Sequence, residues 1–405
     1  VVSPRRCGPR RSNALCVKIA LVTETFPPEI NGVAMTLSHL VEGLARRGHH
    51  VTVIRPRQNA RDIPRDDGLY EELLCPGVPI PGYPLLRAGL PVRGRLIKTW
   101  RKASPDLVHI ATEGPLGYAA LSAAGKLGIP ITSSFHTNFH SYSRHYGFAF
   151  LTRPALAYLR HFHNRTRITL SPTAELNAEL TRDGFHGMRL LSRGVNTEVF
   201  SPAHRDETLR GSWGANPEDL VVVHVSRLAA EKNYPLLIDA FGRIRATQPG
   251  ARFVIVGDGP LRKKLARAHP WIHFTGFLPR AELARHYASA DAFLYASMTE
   301  TFGNVVTEAM ASGLPVVAFD YAAPARYIRN QENGLTVPFD NRAAWLDAAH
   351  ALANSPLLRR RLGEAARRTA EGISWTHVID GFERDLHEVA ALTVPSRLAP
   401  ATVIP

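Results

Sequence analysis

Apolar positions along the chain come in short blocks set between polar, helix-spaced stretches. The first clear block reads VKIALVTETFPPEINGVAMTLSHLVEGLARRGHHVTVIRP. Residues 17–23 are an apolar run, which predicts a strand buried on both faces. A Pro/Gly loop covers 26–32. Val33, Leu37, Leu40, Val41 and Leu44 then recur at helical spacing until Gly48 stops the helix. Residues 51–54 form the next strand. The unit is βαβ and implies a parallel, helix-covered sheet. The pattern repeats with strand 107–110, helix 115–127, strands 129–134 and 168–171, and helix 173–183. A second series starts near 219 with DLVVVHVSRL, helix 235–247 and RFVIVGDGP. It continues through strand 272–274, helix 280–288, strand 291–295, helix 303–312 and strand 315–319. The expected class is α/β, with two doubly wound Rossmann-like domains facing a central cleft. The expected division is a disordered basic arm at 1–16, a first domain at 17–200 and a second at 201–374. A C-terminal helix and tail, 375–405, return toward the first domain. The polar, turn-rich stretch from about 195 to 217 is the expected hinge.

The 405-residue length suits two domains, and the 45% hydrophobic fraction is that of a soluble globular protein. No run of about 18 apolar residues occurs, so no transmembrane helix is predicted. Cys7, Cys16 and Cys75 show neither disulfide-framework nor zinc spacing. A reducing cytoplasm is the expected location. The arm VVSPRRCGPRRSNALC lacks the apolar core of a secretory signal. The formal charge of +14 draws the chain toward something anionic, unless it only reflects a GC-rich genome. No recognition motif accompanies the charge, so nucleic acid is not an expected partner.

Chemistry-bearing residues cluster in loops after strands, where open α/β sheets bind ligands. Asn31 and Gly32 precede a helix whose free N–H groups would favour an anion. A simple turn is the other reading of Gly32. Arg227 and Lys232 in SRLAAEKN can reach one diphosphate, although solvated surface charge would leave the same trace. VIVGDGP, with Gly257, resembles a dinucleotide turn. Arg262 stands where GxGxxG needs glycine, which disfavours a nicotinamide enzyme. Glu300 and Glu308 in TETFGNVVTEAMASGLPVV are two carboxylates in an otherwise small, apolar stretch. A carboxylate accepts two hydroxyl hydrogen bonds, which suits a sugar diol. Glu300 could instead serve the helix dipole, and Glu308 among apolar neighbours must have a partner. His136 lies just beyond a strand and is suited to polar contact or proton handling.

Together these pieces resemble a family 4 glycosyltransferase of GT-B fold, from Val17 to about residue 390. The strongest motif is Glu300–x7–Glu308, supported by SRLAAEKN, VIVGDGP, TGFLP at 275–279 and RGVNTEVFSP at 193–202. The opening block and SSFHTNFHSY are most similar to the subset containing GDP-mannose-dependent α-mannosyltransferases and plant-type sulfolipid synthases. The resemblance implies retaining transfer of a hexose, mannose first, from a nucleotide-diphosphate donor to a lipid-linked or glycan acceptor. It assigns the diphosphate to Arg227 and Lys232, the ribose to Glu308 and the donor sugar to Glu300. The backbone of Phe302, Gly303, Asn304 and Val305 would serve sugar and phosphate, and Gly276, Phe277 and Leu278 the base. Gly257 counts with the donor loops, Gly32 would close over the diphosphate, and His136 would support the transition state. Ala296 and Asn196 replace the family's commoner proline and aspartate. No convincing DxD motif is present, so neither a metal nor another cofactor is expected. Segment 142–167 mixes Arg and His with Tyr and Phe. It suits an anionic membrane surface, hence peripheral attachment on the inner face; an ordinary half-buried helix is the other reading. Glucosyl transfer from a UDP-sugar, a sugar-nucleotide epimerase and a non-catalytic sugar-nucleotide-binding protein are the alternatives.

Overall fold

The computed structural model describes residues 16–29, 31–65, 68–80, 83–136 and 152–391. These fall into two compact units. The first holds the chain up to the 130s, Arg153–Ser192 and the segment from Thr376; the second holds Arg193–Trp375.

The first unit carries a seven-stranded sheet in the order β3-β2-β1-β6-β7-β8-β9. Its strands are β1 Lys18–Val22, β2 His50–Pro56, β3 Glu71–Cys75, β6 Leu107–Ile110, β7 Ile131–Ser134, β8 Ile168–Ser171 and β9 Met188–Leu190. Every pairing is parallel. A hairpin of β4 Gly77–Ile80 and β5 Tyr83–Gly89 stands apart from this sheet. The Gly32–Arg46 helix buries Leu37, Leu40, Val41 and Leu44, the side chains whose spacing predicts it. The C-terminal Trp375–Ala391 helix is clamped to this unit from Thr376 onward. Arg47 holds Glu383 and Asp380, and Arg189 holds Asp385 at 2.7 Å and Glu388 at 2.6 Å. A Cβ on Gly43 would lie 2.3 Å from the Ile379 side chain, so glycine lets the two helices approach.

The second unit carries a six-stranded parallel sheet in the order β12-β11-β10-β13-β14-β15. These strands are β10 Val221–Val225, β11 Arg252–Val256, β12 His273–Gly276, β13 Ala292–Tyr295, β14 Val316–Phe319 and β15 Leu335–Val337. Both faces of the sheet are covered, and all five residues of β10 are buried. The division falls at Ser192/Arg193, ahead of the expected hinge. The reason is packing: Val195 and Phe200 belong to the second unit's core. Asn196 shapes this entry, its Oδ1 accepting the backbone N–H of Glu198 at 3.0 Å and Val199 at 3.1 Å.

Each sheet therefore has one switch point, where the strand order departs in opposite directions. These are β1/β6 in the first unit and β10/β13 in the second, and in open α/β sheets ligands bind at such points.

Candidate active site

At the β10/β13 switch point the chain leaves β10 through Ser226 and Arg227, turns through the Ala230–Lys232 3-10 segment and enters the Tyr234–Thr247 helix. A buried relay fixes this loop from below. His224 Nδ1 meets the Leu294 carbonyl at 2.8 Å, and its Nε2 meets Ser226 Oγ at 2.8 Å. Ser226 Oγ in turn lies 2.9 Å from the Tyr234 hydroxyl. Burial pushes His224 down to about 4, so the ring stays neutral and the relay stays intact at neutral pH.

Above the relay, Lys232 is buried and its Nζ contacts Glu300 and, at 3.2 Å, Ser297 Oγ. Glu300 Oε1 also accepts the Tyr295 hydroxyl at 2.5 Å and Ser297 Oγ at 3.1 Å. All three donors converge on Oε1, and Oε2 has no hydrogen-bond donor among the described residues. Arg227 pairs with Glu231 at 2.5 Å. Burial penalises the Glu231 charge, but the guanidinium more than offsets this and holds its carboxyl below the usual range. Both cations thus sit on carboxylates in one strand-end crevice.

The Asn304–Ala311 helix starts beside this cluster. Gly303, its N-cap, has φ +96, and a Cβ there would lie 2.8 Å from the Tyr295 hydroxyl. No side chain caps the helix, which leaves its first N–H groups available to an anion. Glu308 has the partner its apolar surroundings demand: the Tyr287 hydroxyl donates to its Oε2 at 3.2 Å. Burial pushes Glu308 up to about 7, against the pull of Arg280 and the Tyr287 bond.

Gly257 and Gly276 end β11 and β12 side by side, with Gly257 N–H donating to the Gly276 carbonyl at 2.9 Å. A Cβ on Gly257 would lie 2.0 Å from the Ser226 carbonyl, so only glycine lets this turn pack on the Arg227 loop. Phe277 follows with its side chain 60% exposed, while Leu278 packs partly against the core. Phe302 is buried edge-on against Tyr327, and Val305 packs against the same core. Their side chains serve packing. Arg227, Lys232, Gly257, Gly276, Phe277, Leu278, Glu300, Phe302, Gly303, Asn304, Val305 and Glu308 all lie in the second unit, where direct contacts join Lys232 to Glu300 and Gly257 to Gly276.

Gly32 and His136 belong to the first unit. The expectation of free N–H donors at the Gly32–Arg46 helix needs correcting. Asn31 Oδ1 accepts the N–H of Val33 at 3.0 Å and of Ala34 at 2.8 Å, so the side chain already caps the helix. His136 is buried, with Nε2 2.7 Å from Ser134 Oγ, which also meets His109 Nε2 at 3.2 Å. The segment expected to contact an anionic surface lies outside the described residues up to 151. From there the Thr152–His163 helix buries Leu159, Phe162 and His163 and exposes Arg153 and Arg160.

Among the described residues one trio, His49, Glu383 and His387, has metal-like spacing. Its hydrogen bonds favour another use. The Val17 N–H lies 3.2 Å from His49 Nδ1, so the ring proton sits on Nε2 and points at Glu383, which Arg47 also holds.

The model of "Glycosyltransferase Family 4" matches residues 30–199, and that of "Glycosyl transferases group 1" matches 205–369. A GDP-mannose-dependent alpha-mannosyltransferase of Mycolicibacterium smegmatis is 36% identical over 369 residues, spanning 90% of this chain and 95% of the relative. The chain belongs to glycosyltransferase family 4. The sulfoquinovosyl transferase of Arabidopsis thaliana is 30% identical, over 88% of this chain and 71% of that protein. The fold is GT-B. The sucrose-phosphate synthase structure from Thermosynechococcus elongatus matches with TM-score 0.75 at 18% identity, covering 93% of this chain and 100% of that one. The chain is a glycosyltransferase that moves a sugar from a nucleotide sugar to a lipid or glycan acceptor.

Apart from Lys232, the side chains that hold this glycosyltransferase's charged site residues were not given that role from sequence. Tyr295 and Ser297 hold Glu300, Tyr287 and Arg280 flank Glu308, and Glu231 holds Arg227. Tyr295 and Ser297 stand at the end of an apolar strand, which is a readable signal. Tyr287 closes a helix 21 positions before Glu308, and no spacing rule links the two.

Proposed function

We propose that the enzyme transfers mannose from GDP-mannose, with retention, to a lipid-linked or glycan acceptor. The observation that carries this reading is the cluster of Lys232, Glu300, Ser297 and Tyr295 beside the uncapped Asn304–Ala311 helix. As the glycosidic bond breaks, negative charge grows on the β-phosphate. Lys232, Arg227 and the N–H groups following Gly303 stabilise that charge more than the ground state. Glu300 accepts the donor-sugar hydroxyls through Oε2, and Glu308 takes the ribose hydroxyls. Because the cations and helix dipole supply the positive charge, no divalent ion is required. Support for mannose comes from the relatives named as GDP-mannose-dependent.

A UDP-glucose reading has its own support. An alpha-monoglucosyldiacylglycerol synthase of Acholeplasma laidlawii is 30% identical over 79% of this chain and 84% of that protein. The exposed arginines of the amphipathic Thr152–His163 helix suit peripheral contact with an anionic membrane on the cytoplasmic side.

The test incubates the protein with a panel of radiolabelled nucleotide sugars and total lipid, with and without EDTA, in vesicles with and without anionic lipid. The expected result is EDTA-resistant transfer from GDP-mannose and stronger sedimentation with anionic vesicles. Transfer from UDP-glucose alone would select the second donor. An isomerised donor, or no reaction with any donor, would end the transferase mechanism argued above. Sedimentation indifferent to anionic lipid would remove the membrane contact.

A further inference from the structure

The loop that carries Glu300 is held from a second side, by the turn that follows β14. The Tyr321 hydroxyl donates to the Glu300 carbonyl at 2.8 Å. Two residues on, the Ala323 N–H donates to the Phe302 carbonyl at 2.9 Å. The Ala323–Tyr327 helix then sets the Tyr327 ring edge-on to Phe302, at 6.0 Å between centroids. Residues 300–302 are thus fixed by a hydroxyl, a backbone N–H and a ring, all from residues 321–327.

The joint of this turn is Ala322, which has φ 57 and ψ −127. A Cβ crowds the neighbouring backbone there, and glycine is the residue that ordinarily takes such angles. Ser104 and Asn233 also have positive φ, but with ψ 63 and 48 they lie in the small left-handed region open to side chains. Ala322 is buried, so no contact with water offsets the strain. Such a conformation persists only where the surroundings over-determine it. Before the joint, the Asp320 N–H donates to the Val337 carbonyl at 2.8 Å and the Tyr321 N–H folds back on the Phe319 carbonyl at 2.9 Å. After it, the Ala323 N–H is taken by Phe302. Ala322 therefore lies between a strand end held by the sheet and a residue held by the Glu300 loop.

We propose that Tyr321 is a positioning residue for sugar transfer, aimed at the Glu300 backbone by the strained joint at Ala322. The inference rests on the glycosyltransferase reading and goes beyond it by adding a residue that acts through Glu300. The Glu300 carboxylate is anchored through Oε1 by Lys232, Tyr295 and Ser297. Those bonds orient the carboxylate, but a side chain can keep them while its backbone shifts. The Tyr321 hydroxyl removes that freedom, so Oε2 keeps one place relative to Gly303 and the helix that follows. The Tyr321 ring is itself held, edge-on to Phe339 at 5.3 Å between centroids. Groups that stabilise a transition state act best when their geometry is set before the reaction, and a misplacement of about 1 Å can cost about 10²-fold. The hydroxyl hydrogen of Tyr321 is committed to a carbonyl, so the residue acts on the sugar only through Glu300.

The test uses the full chain with GDP-mannose, or with UDP-glucose where the donor panel selects it. It reads transfer, melting temperature and inhibition by the matching nucleoside diphosphate. Tyr321→Phe keeps the ring and removes the hydroxyl. Expected is a fall of about tenfold in kcat/KM for the nucleotide sugar, with the inhibition constant of the free nucleoside diphosphate within about twofold, because that ligand has no sugar for Glu300 to hold. Ala322→Gly releases the strain, so the melting temperature rises by about 2–4 °C, while kcat/KM falls by about threefold because the hydroxyl is aimed less well. A lower melting temperature with unchanged kcat/KM in Tyr321→Phe makes the tyrosine merely structural and overturns the proposal. Equal losses for the nucleotide sugar and the free diphosphate overturn it too, since Tyr321 would then act on more than Glu300. A melting temperature that falls in Ala322→Gly, or transfer that does not change, overturns the role of the joint. Each of these outcomes leaves the transferase standing. Absence of transfer by the unsubstituted protein overturns the transferase and the positioning role together.

Discussion

The two switch points share a topology and differ in charge. After β10 and β13 stand Arg227, Lys232, Glu231 and Glu300, paired cation to carboxylate. After β1 and β6 stand Glu24, Glu113 and Tyr118, with His163 and Tyr158 packed against them from the Thr152–His163 helix. In both, parallel strands end at a crevice and a helix begins beside it, so the backbone offers the same opportunity twice. The side chains decide what enters. Lysine and arginine beside an uncapped helix favour a diphosphate, whereas carboxylates and aromatic faces favour hydroxyls and C–H surfaces. The lesson is that fold places a site, and the residues just past the strand ends choose its ligand.

Removing a cation from the second switch point should break this contrast most severely. Lys232→Ala should lower kcat/KM for the donor by about 10³-fold and Arg227→Ala by about 10²-fold, the range seen when one oriented charge-stabilising group is lost. Steady-state kinetics with saturating acceptor measures both. Near-wild-type turnover in Lys232→Ala would place the diphosphate elsewhere and dissolve the distinction between the two crevices. Lys232 is expected to matter more because it is buried and shared with Glu300, while Arg227 is about a third exposed and screened by solvent.

A smaller effect should follow pH. Burial moves Glu308 from 4.5 to about 7. A carboxylate accepts both ribose hydroxyls, whereas its protonated form loses part of that capacity. Donor KM should therefore fall as pH rises through about 7. Glu308→Gln should raise donor KM by about tenfold and flatten the profile. A profile unchanged by this substitution would assign the pH dependence to another group. Stability runs the other way. The folded-state value is raised, so Glu308's favourable contribution is complete below about 4.5 and is lost as pH rises through about 7.

Much of this was legible beforehand, for identifiable reasons. Strands 107–110 and 168–171 and helix 280–288 have the expected bounds, because apolar runs and helical spacing are local signals. β3, reading EELLC, opens on two glutamates at a sheet edge, and β9 and β15 have three residues each, too few for a pattern. In the candidate site, Arg227, Lys232, Glu300 and Glu308 stood out as charges just past apolar strands. Tyr287 and Arg280 did not, since a carboxylate among apolar neighbours announces that it needs a partner without saying which. Asn31 was open to a better reading: asparagine immediately before a helix is a preferred N-cap.

That residue supplies the smallest test and the sharpest one for the first unit. Asn31 Oδ1 occupies the N–H groups of Val33 and Ala34, so the Gly32–Arg46 helix has its acceptor built in. If that is its whole role, Asn31→Ala costs about 1 kcal/mol and lowers the melting temperature by about 2–4 °C. Donor KM should then stay where it is, because no phosphate was bound at this terminus. Vacated N–H groups could even gain affinity for an added anion, and phosphate titration of the variant by calorimetry would report that directly. A rise in donor KM with no thermal shift would mean the opposite: that Asn31 and Gly32 reach the diphosphate, and that the first unit shares the anion chemistry assigned above to the second alone.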